Sequence, residues 1–241
     1  MRLNPHIFAD ARGAAGACAA YIATTLRQEL AANPVATLAV SGGSTPRLMF
    51  DALVNESLAW ARIHIFFVDE RPVPPGDPQS NYTLCETHLL TPAGVPAANV
   101  HRILAERGPA VAAALYAAEI TALFGNSSSA EEPRFTVVQC GIGSDCHTAS
   151  LFPGEPLIDD REGLVAAVEA AKLNQARITM LPRILLNANN LVVLASGEDK
   201  AWALNQIFHA PFDLQRYPAQ LLVHRRDSEF FLDQAAAVRL G

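Results

Sequence analysis

Five short apolar runs recur along the chain: VATLAV (35–40), IHIFFVD (63–69), FTVVQCG (135–141), NLVVLAS (190–196) and AQLLVH (219–224). Each is almost continuously apolar and rich in branched residues. That pattern marks a strand covered on both faces, not one with a wet side. Between the runs the spacing turns helical. Residues 11–32 form one such stretch and 198–209 another. Over 109–124, Val111, Leu115, Ile120 and Leu123 recur near the helical period. Strand–helix alternation predicts an α/β fold, a mainly parallel sheet with helices on both faces. PVPPGDPQ (72–79) is barred from helix and inner strand, because its prolines fix φ and lack donors. GNSSSAEEPR (125–134) is a polar connection and the one plausible seam in what otherwise reads as a single domain over 1–241.

Composition narrows the setting. Half of the residues are hydrophobic, enough for one large domain with a buried core. The formal net charge is −6, which argues against a surface that attracts nucleic acid or anionic lipid. An anionic substrate then needs a local cluster of cations. Of the 18 basic residues only Lys172 and Lys200 are lysines, so most such cations must be arginines. Cys18, Cys85, Cys140 and Cys146 have neither zinc-site nor CxxC spacing, and free thiols are expected. Asp10 and Arg12 interrupt the opening segment where an export signal needs an apolar core. No uncharged apolar run approaches the ~18 residues of a membrane span. The expected setting is the cytoplasm, with no membrane and no nucleic acid as partner.

Three of the predicted strands run straight into unusual polar loops, at the strand end where open α/β sheets bind ligands. After the first run comes SGGSTPRLMFDAL (41–53). Gly42 and Gly43 permit a tight turn with exposed N–H groups, Ser44 or Thr45 can cap the following helix, and Pro46 suits its first turn. Free N–H groups at a helix N-terminus suit a phosphate. The segment lacks the Lys of a nucleotide P-loop and the third Gly of a dinucleotide fingerprint, and taken alone it reads first as a plain capped strand-to-helix turn. After the second run comes VDERPVPPGDPQSNY (68–82), where Arg71 offers a guanidinium fork for an anion. An internal ion pair among Asp69, Glu70 and Arg71 is the competing reading. After the third comes QCGIGSDCHTASLFPG (139–154). Here Asp145 and His147 lie two apart in a Gly-rich loop, ahead of a short helix-like TASLF. A histidine can accept a proton near neutral pH, and a neighbouring carboxylate can fix its tautomer. The other six histidines have no such context and read as structural or solvated.

Taken together, SGGSTP (41–46), VDER (68–71) with SNY (80–82), HTASLFPG (147–154), RIT (177–179) preceded by Lys172, and PAQLL (218–222) with LDQAA (232–236) resemble the 6-phosphogluconolactonase family. The likeness runs over roughly residues 5–240. It implies a Rossmann-like α/β fold shared with glucosamine-6-phosphate isomerases and deaminases. It also implies hydrolysis of 6-phospho-D-glucono-1,5-lactone in the oxidative pentose phosphate route, without metal or other cofactor. By position, His147 is the base that activates water and Asp145 supports it. Gly42, Gly43, Ser44 and Thr45, with Arg71, Lys172 and Arg177, are expected to hold phosphate and sugar. The only partner implied is the small sugar-phosphate lactone, acted on by a monomer or weak homodimer.

One residue departs from the family pattern, which has glycine where this chain has Cys146. If that position needs φ > 0, a cysteine there carries strain of order 1–3 kcal/mol. A Cys146–His147 nucleophile pair and an oxidation-sensitive site are the two chemical alternatives it raises. Two rival functions stand beside the lactonase. An amino-sugar-phosphate isomerase or deaminase would use a carboxylate five residues after the histidine, where this chain has Phe152, and DEY where it has DER (69–71). A sugar-phosphate sensor would bind without turnover.

Overall fold

The computed structural model describes residues 5–125, 132–170, 175–225 and 227–240. Most of the loop at 125–134, and Lys172, lie outside these residues. The chain opens with a short strand β1 (His6–Phe8) and a long helix α1 (Ala11–Ala32). Asp10 starts α1 by accepting the Gly13 N–H at 2.8 Å, which satisfies one of the free donors at a helix start. Ala14, Ala15, Cys18, Ala19, Ile22 and Leu26 give α1 a buried stripe of small and aliphatic side chains. Then follow β2 (Ala36–Val40), α2 (Ser44–Leu53), β3 (Ile63–Phe67) and β4 (Asp69–Glu70). A helical segment comes next, built of α3 (Asn81–Cys85), a π turn over Glu86–Leu90 and α4 (Thr91–Ala93). After it come β5 (Val100–His101), α5 (Pro109–Gly125), β6 (Val137–Cys140), β7 (Val165–Ala170), β8 (Gln175–Met180), α6 (Pro182–Asn187) and β9 (Asn190–Ala195). The chain continues through α7 (Ala201–His209), α8 (Gln220–His224), β10 (Glu229–Asp233) and α9 (Gln234–Ala237).

Seven strands form one sheet in the order β1-β10-β9-β6-β2-β3-β5. Every pair in it is parallel. All residues of β2 and β6 are buried, so both faces of the sheet centre are covered, as the unbroken apolar runs predict. Phe66 packs edge-on against Phe135 at 5.0 Å. Tyr116 of α5 is buried, and its hydroxyl accepts from the Phe67 N–H (2.8 Å) and donates to the Phe67 carbonyl (3.0 Å). That phenol satisfies the backbone at the end of β3, where the ladder runs out.

Two expectations need correction, and one element goes beyond what the pattern predicts. AQLLVH (219–224) is the helix α8, and the last strand is β10, ten residues further on. A short apolar run cannot be told from a buried helical turn by pattern alone. Here Gln220 decides it. Fully buried, it accepts the Asp213 N–H and donates to the Ala210 and Pro211 carbonyls, so it ties a loop in place instead of facing a neighbouring strand. TASLF is no helix either. Thr148 and Leu151 form an isolated antiparallel bridge around a tight turn. Finally, β4, β8 and β7 make a second, antiparallel sheet. Its β8 carries the RIT segment beside the DER segment.

Candidate active site

The loops at 41–46, 68–82 and 139–154 leave the carboxyl ends of β2, β3 and β6, which are adjacent in the sheet. The candidate anion turn is at the first. Gly43 is the N-cap of α2 with φ 116°, a conformation that suits glycine, and no side chain caps the helix. Neither Ser44 nor Thr45 caps, contrary to expectation. Both lie inside the first turn, and the Thr45 hydroxyl instead bonds Ser196 Oγ at 2.8 Å. The donors at the start of α2 therefore have no side chain competing for them. Ser196 follows β9, which lies beside β6, so a fourth strand end joins the site. Sequence reasoning missed it, although LAS-GEDK repeats the strand-then-polar-loop pattern of the other three.

The second loop splits into two jobs. Glu70 is 2% exposed and accepts four hydrogen bonds, from the N–H groups of Arg71, Asn81 and Tyr82 and from Ser80 Oγ, all within 2.8–2.9 Å. Burial pushes its pKa up, and those four bonds pull against that rise. It is a structural carboxylate that anchors the start of α3. Asp69 is equally committed, taking Ser150 Oγ at 2.6 Å and Asn81 Nδ2 at 3.0 Å. Neither pairs with Arg71 among the described residues, so the internal ion pair is ruled out. Arg71 donates Nη1 to the Gln79 carbonyl, and its Nε is buried with no partner among the described residues.

Strand β8 brings Arg177 to the same place. The β4–β8 register pairs Asp69 with Thr179 and Glu70 with Ile178, so the next step sets Arg71 opposite Arg177. Arg177 is 9% exposed and, among the described residues, bonds only Gln175 Oε1 and the Ala176 carbonyl, both at 2.8 Å. Its pKa is lowered, first by burial and then by the Arg71 charge. Two guanidinium groups that repel each other, neither holding a carboxylate among the described residues, make a place for an anion.

The third loop holds the imidazole. His147 Nδ1 lies 2.5 Å from Asp145 Oδ1. That hydrogen bond holds the Asp145 carboxyl at about 2, so at neutral pH it is an ionised, acceptor-only group. Nδ1 must then carry the proton, which leaves Nε2 as the accepting nitrogen. About a third of each side chain is exposed, so water can reach the ring. The backbone closes tightly around it. Gly143 N–H donates to the His147 carbonyl (2.8 Å), Cys146 N–H to Gly143 O (3.0 Å), and Thr148 Oγ1 to Gly141 O (3.0 Å). A Cβ on Gly143 would stand 2.0 Å from His147 Nδ1, so the ring occupies the space that a side chain would fill. Phe152 packs against the imidazole with centroids 4.7 Å apart.

Cys146 does adopt φ 70°, and Ala149 adopts φ 50°. They are the two non-glycine residues in the left-handed region among those described, each at a cost of about 1–2 kcal/mol, and they flank His147. The Cys146 side chain is buried, with its Sγ 3.8 Å from the Ala203 carbonyl, and burial pushes its pKa up to about 11. A thiol so placed is neither nucleophile nor ready target for oxidation, which removes both chemical alternatives raised for it. Among the described residues, no cluster of three His, Cys, Asp or Glu side chains is arranged to hold a metal ion.

A family model described as glucosamine-6-phosphate isomerases/6-phosphogluconolactonase matches residues 9–232. The chain belongs to that family. Among relatives in the family, the 6-phosphogluconolactonase of Nostoc sp. is 35% identical over 206 residues, 85% of each chain. That of Haemophilus influenzae is 35% identical over 208 residues, 84% of this chain and 86% of the relative. The solved 6-phosphogluconolactonase from Trypanosoma cruzi superposes with a TM-score of 0.85 at 26% identity, covering 100% of this chain and 98% of its own. A monomeric glucosamine-6-phosphate deaminase reaches 0.81 at 18% identity, over 98% of this chain and 100% of its own, and shares the fold. No helix among the described residues is long and apolar enough to cross a membrane.

Proposed function

We propose that the chain hydrolyses 6-phospho-D-glucono-1,5-lactone to 6-phosphogluconate, the lactone-opening step of the oxidative pentose phosphate pathway. The observation that carries this reading is the water-accessible imidazole of His147, with its tautomer fixed by Asp145, beside an anion turn on a neighbouring strand. The phosphate docks at the N-terminus of α2, over Gly42, Gly43, Ser44 and Thr45, with Arg71, Arg177 and Lys172 as its cations. His147 Nε2 takes a proton from water as the oxygen attacks the lactone carbonyl. Charge then grows on the carbonyl oxygen and on the departing ring oxygen, where the guanidinium groups and backbone donors stabilise it. The proton held on Nε2 passes to the ring oxygen as the C–O bond breaks, so no covalent intermediate and no cofactor enter. In this reading the enzyme is cytoplasmic, a monomer or weak homodimer, and binds neither nucleic acid nor membrane.

Against an isomerase or deaminase stands Phe152, which places an apolar ring on the imidazole where ring-opening chemistry wants a carboxylate. A progress curve decides between turnover and mere binding. Purified protein should exceed the spontaneous rate of lactone hydrolysis, and His147→Ala should lose the excess, about 10²–10⁴-fold. Equal rates for the two proteins would refute the assignment.

A further inference from the structure

SNY (80–82) is unusual for a loop motif, because its middle residue is 2% exposed and reaches across to the anion turn. Asn81 Nδ2 spends both protons on Asp69, at 2.9 Å to the carbonyl and 3.0 Å to Oδ1. Its own N–H is fixed on Glu70 at 2.8 Å. The carboxamide plane is therefore locked, and Oδ1 has to face Gly42. It does so at close range. A Cβ on Gly42 would meet Asn81 Oδ1 at 1.8 Å and Cγ at 2.4 Å. Asn81 Oδ1 is also buried without a hydrogen-bond donor among the described residues. An unpartnered buried acceptor is expensive, and an apolar side chain of the same shape would remove that cost. The arrangement makes sense if Asn81 acts on the turn. It is a wedge, anchored on the β3–β4 corner, that fixes the height of Gly42 and so the convergence of the N–H groups at the start of α2. Its oxygen also sets a partial negative charge under the positive end of that helix, without the full charge that would repel an anion.

We propose that Asn81 is a positioning residue for the anion-binding turn, setting the affinity for the phosphate of the substrate by holding Gly42 in place. This rests on the phosphate-binding role assigned above to residues 42–45. Two predictions separate a wedge under the turn from general support. First, loss at Asn81 should fall on the phosphorylated substrate. In Asn81→Ala the KM for the phospholactone and the inhibition constant of inorganic phosphate should each rise about tenfold, with kcat falling less than about threefold. The unphosphorylated lactone should lose much less in kcat/KM. Asn81→Asp keeps the shape but puts a charge beneath the turn and beside Asp69, and should bind phosphate more weakly still.

Second, the wedge and the glycine should be coupled. Gly42→Ala alone collides with Asn81 and should weaken phosphate binding. Gly42→Ala combined with Asn81→Ala removes the collision and should bind phosphate better than Gly42→Ala alone. The test is phosphate titration by calorimetry and steady-state kinetics on the wild type and the four variants, with melting temperatures beside them. If Asn81→Ala melts below the assay temperature, Asn81→Ser takes its place in the same comparison. Parallel losses for both lactones, a fall in kcat at unchanged KM, or a double variant no better than the product of the single losses would each overturn the proposal. So would a wild type that binds no phosphate. A wild type that binds phosphate, loses it in Asn81→Ala, and yet hydrolyses no lactone overturns only the substrate assignment.

Discussion

Two acidic segments follow the two parallel strands that flank β2, and the structure uses them in opposite ways. After β3, Asp69 and Glu70 are buried and saturated with donors. After β6, Asp145 is a third exposed and serves a single imidazole. The first corner spends its carboxylates on holding backbone, and the second keeps one where solvent and a ligand can reach it. The backbone strain is distributed the other way. No residue of the Asp69–Glu70 corner is left-handed, whereas Cys146 and Ala149 both are. The difference teaches which loop is scaffold and which is instrument. A saturated carboxylate fixes shape, while a half-exposed one on a strained loop is available for chemistry.

Mutations should separate the two loops cleanly. The largest effect on rate belongs to His147→Ala, about 10²–10⁴-fold, and it should leave the melting temperature within a few degrees of wild type. A large drop in melting temperature would blur the contrast at its sharpest point. At the corner the order reverses. Glu70→Ala strips the acceptor from three N–H groups and a hydroxyl, and should destabilise the fold by about 3–5 kcal/mol in urea titration, with activity falling only as folded protein is lost.

Asp145→Asn should come next, with kcat reduced by about 10²-fold because an amide no longer dictates which imidazole nitrogen carries the proton. Its effect on stability has a definite pH window. The Asp145 carboxyl is depressed from 3.8 to about 2 in the folded protein, so the stabilisation is complete above the ordinary value and is lost as pH falls through 2. The melting-temperature gap between wild type and Asp145→Asn should therefore be constant at neutral pH and shrink between about pH 4 and pH 2. A gap that shrank already near pH 6 would point to a different group. Cys146→Gly should have the smallest effect. It relieves a left-handed cysteine but also deletes a buried side chain, two terms of about 1 kcal/mol with opposite sign. Stability should move by less than about 1 kcal/mol, and kcat should stay within about threefold.

The parallel sheet was legible because unbroken apolar runs have few other uses, and the Asp145–His147 hydrogen bond was legible because its partners lie two residues apart. The small antiparallel sheet was not, since it joins Asp69 and Glu70 to Thr179 and Ile178 across more than a hundred residues. The fate of Glu70 was hidden for a related reason. Whether a carboxylate meets water, an arginine or a set of N–H groups is decided by a turn ten residues later. Asn81 carried no signal beyond its place in SNY, because its meaning depends on the absence of a side chain at Gly42. Cys146 was flagged only through the family pattern, and its φ of 70° turned that flag into geometry.

The way the sheet is closed has a consequence for how the molecule is made. The first strand, His6–Phe8, pairs with Phe231–Asp233 near the far end of the chain, and the Ala219 N–H grips the Cys146 carbonyl at 2.9 Å. A ribosome adds about 5–20 residues per second, so the histidine loop waits on the order of ten seconds for the segment that clamps it. Until then the loop has only its bonds to Asp69 and Thr179, and β1 waits longer still for its partner strand. A nascent chain stalled before residue 219 would carry every residue assigned here to catalysis and still lack that clamp on the histidine loop.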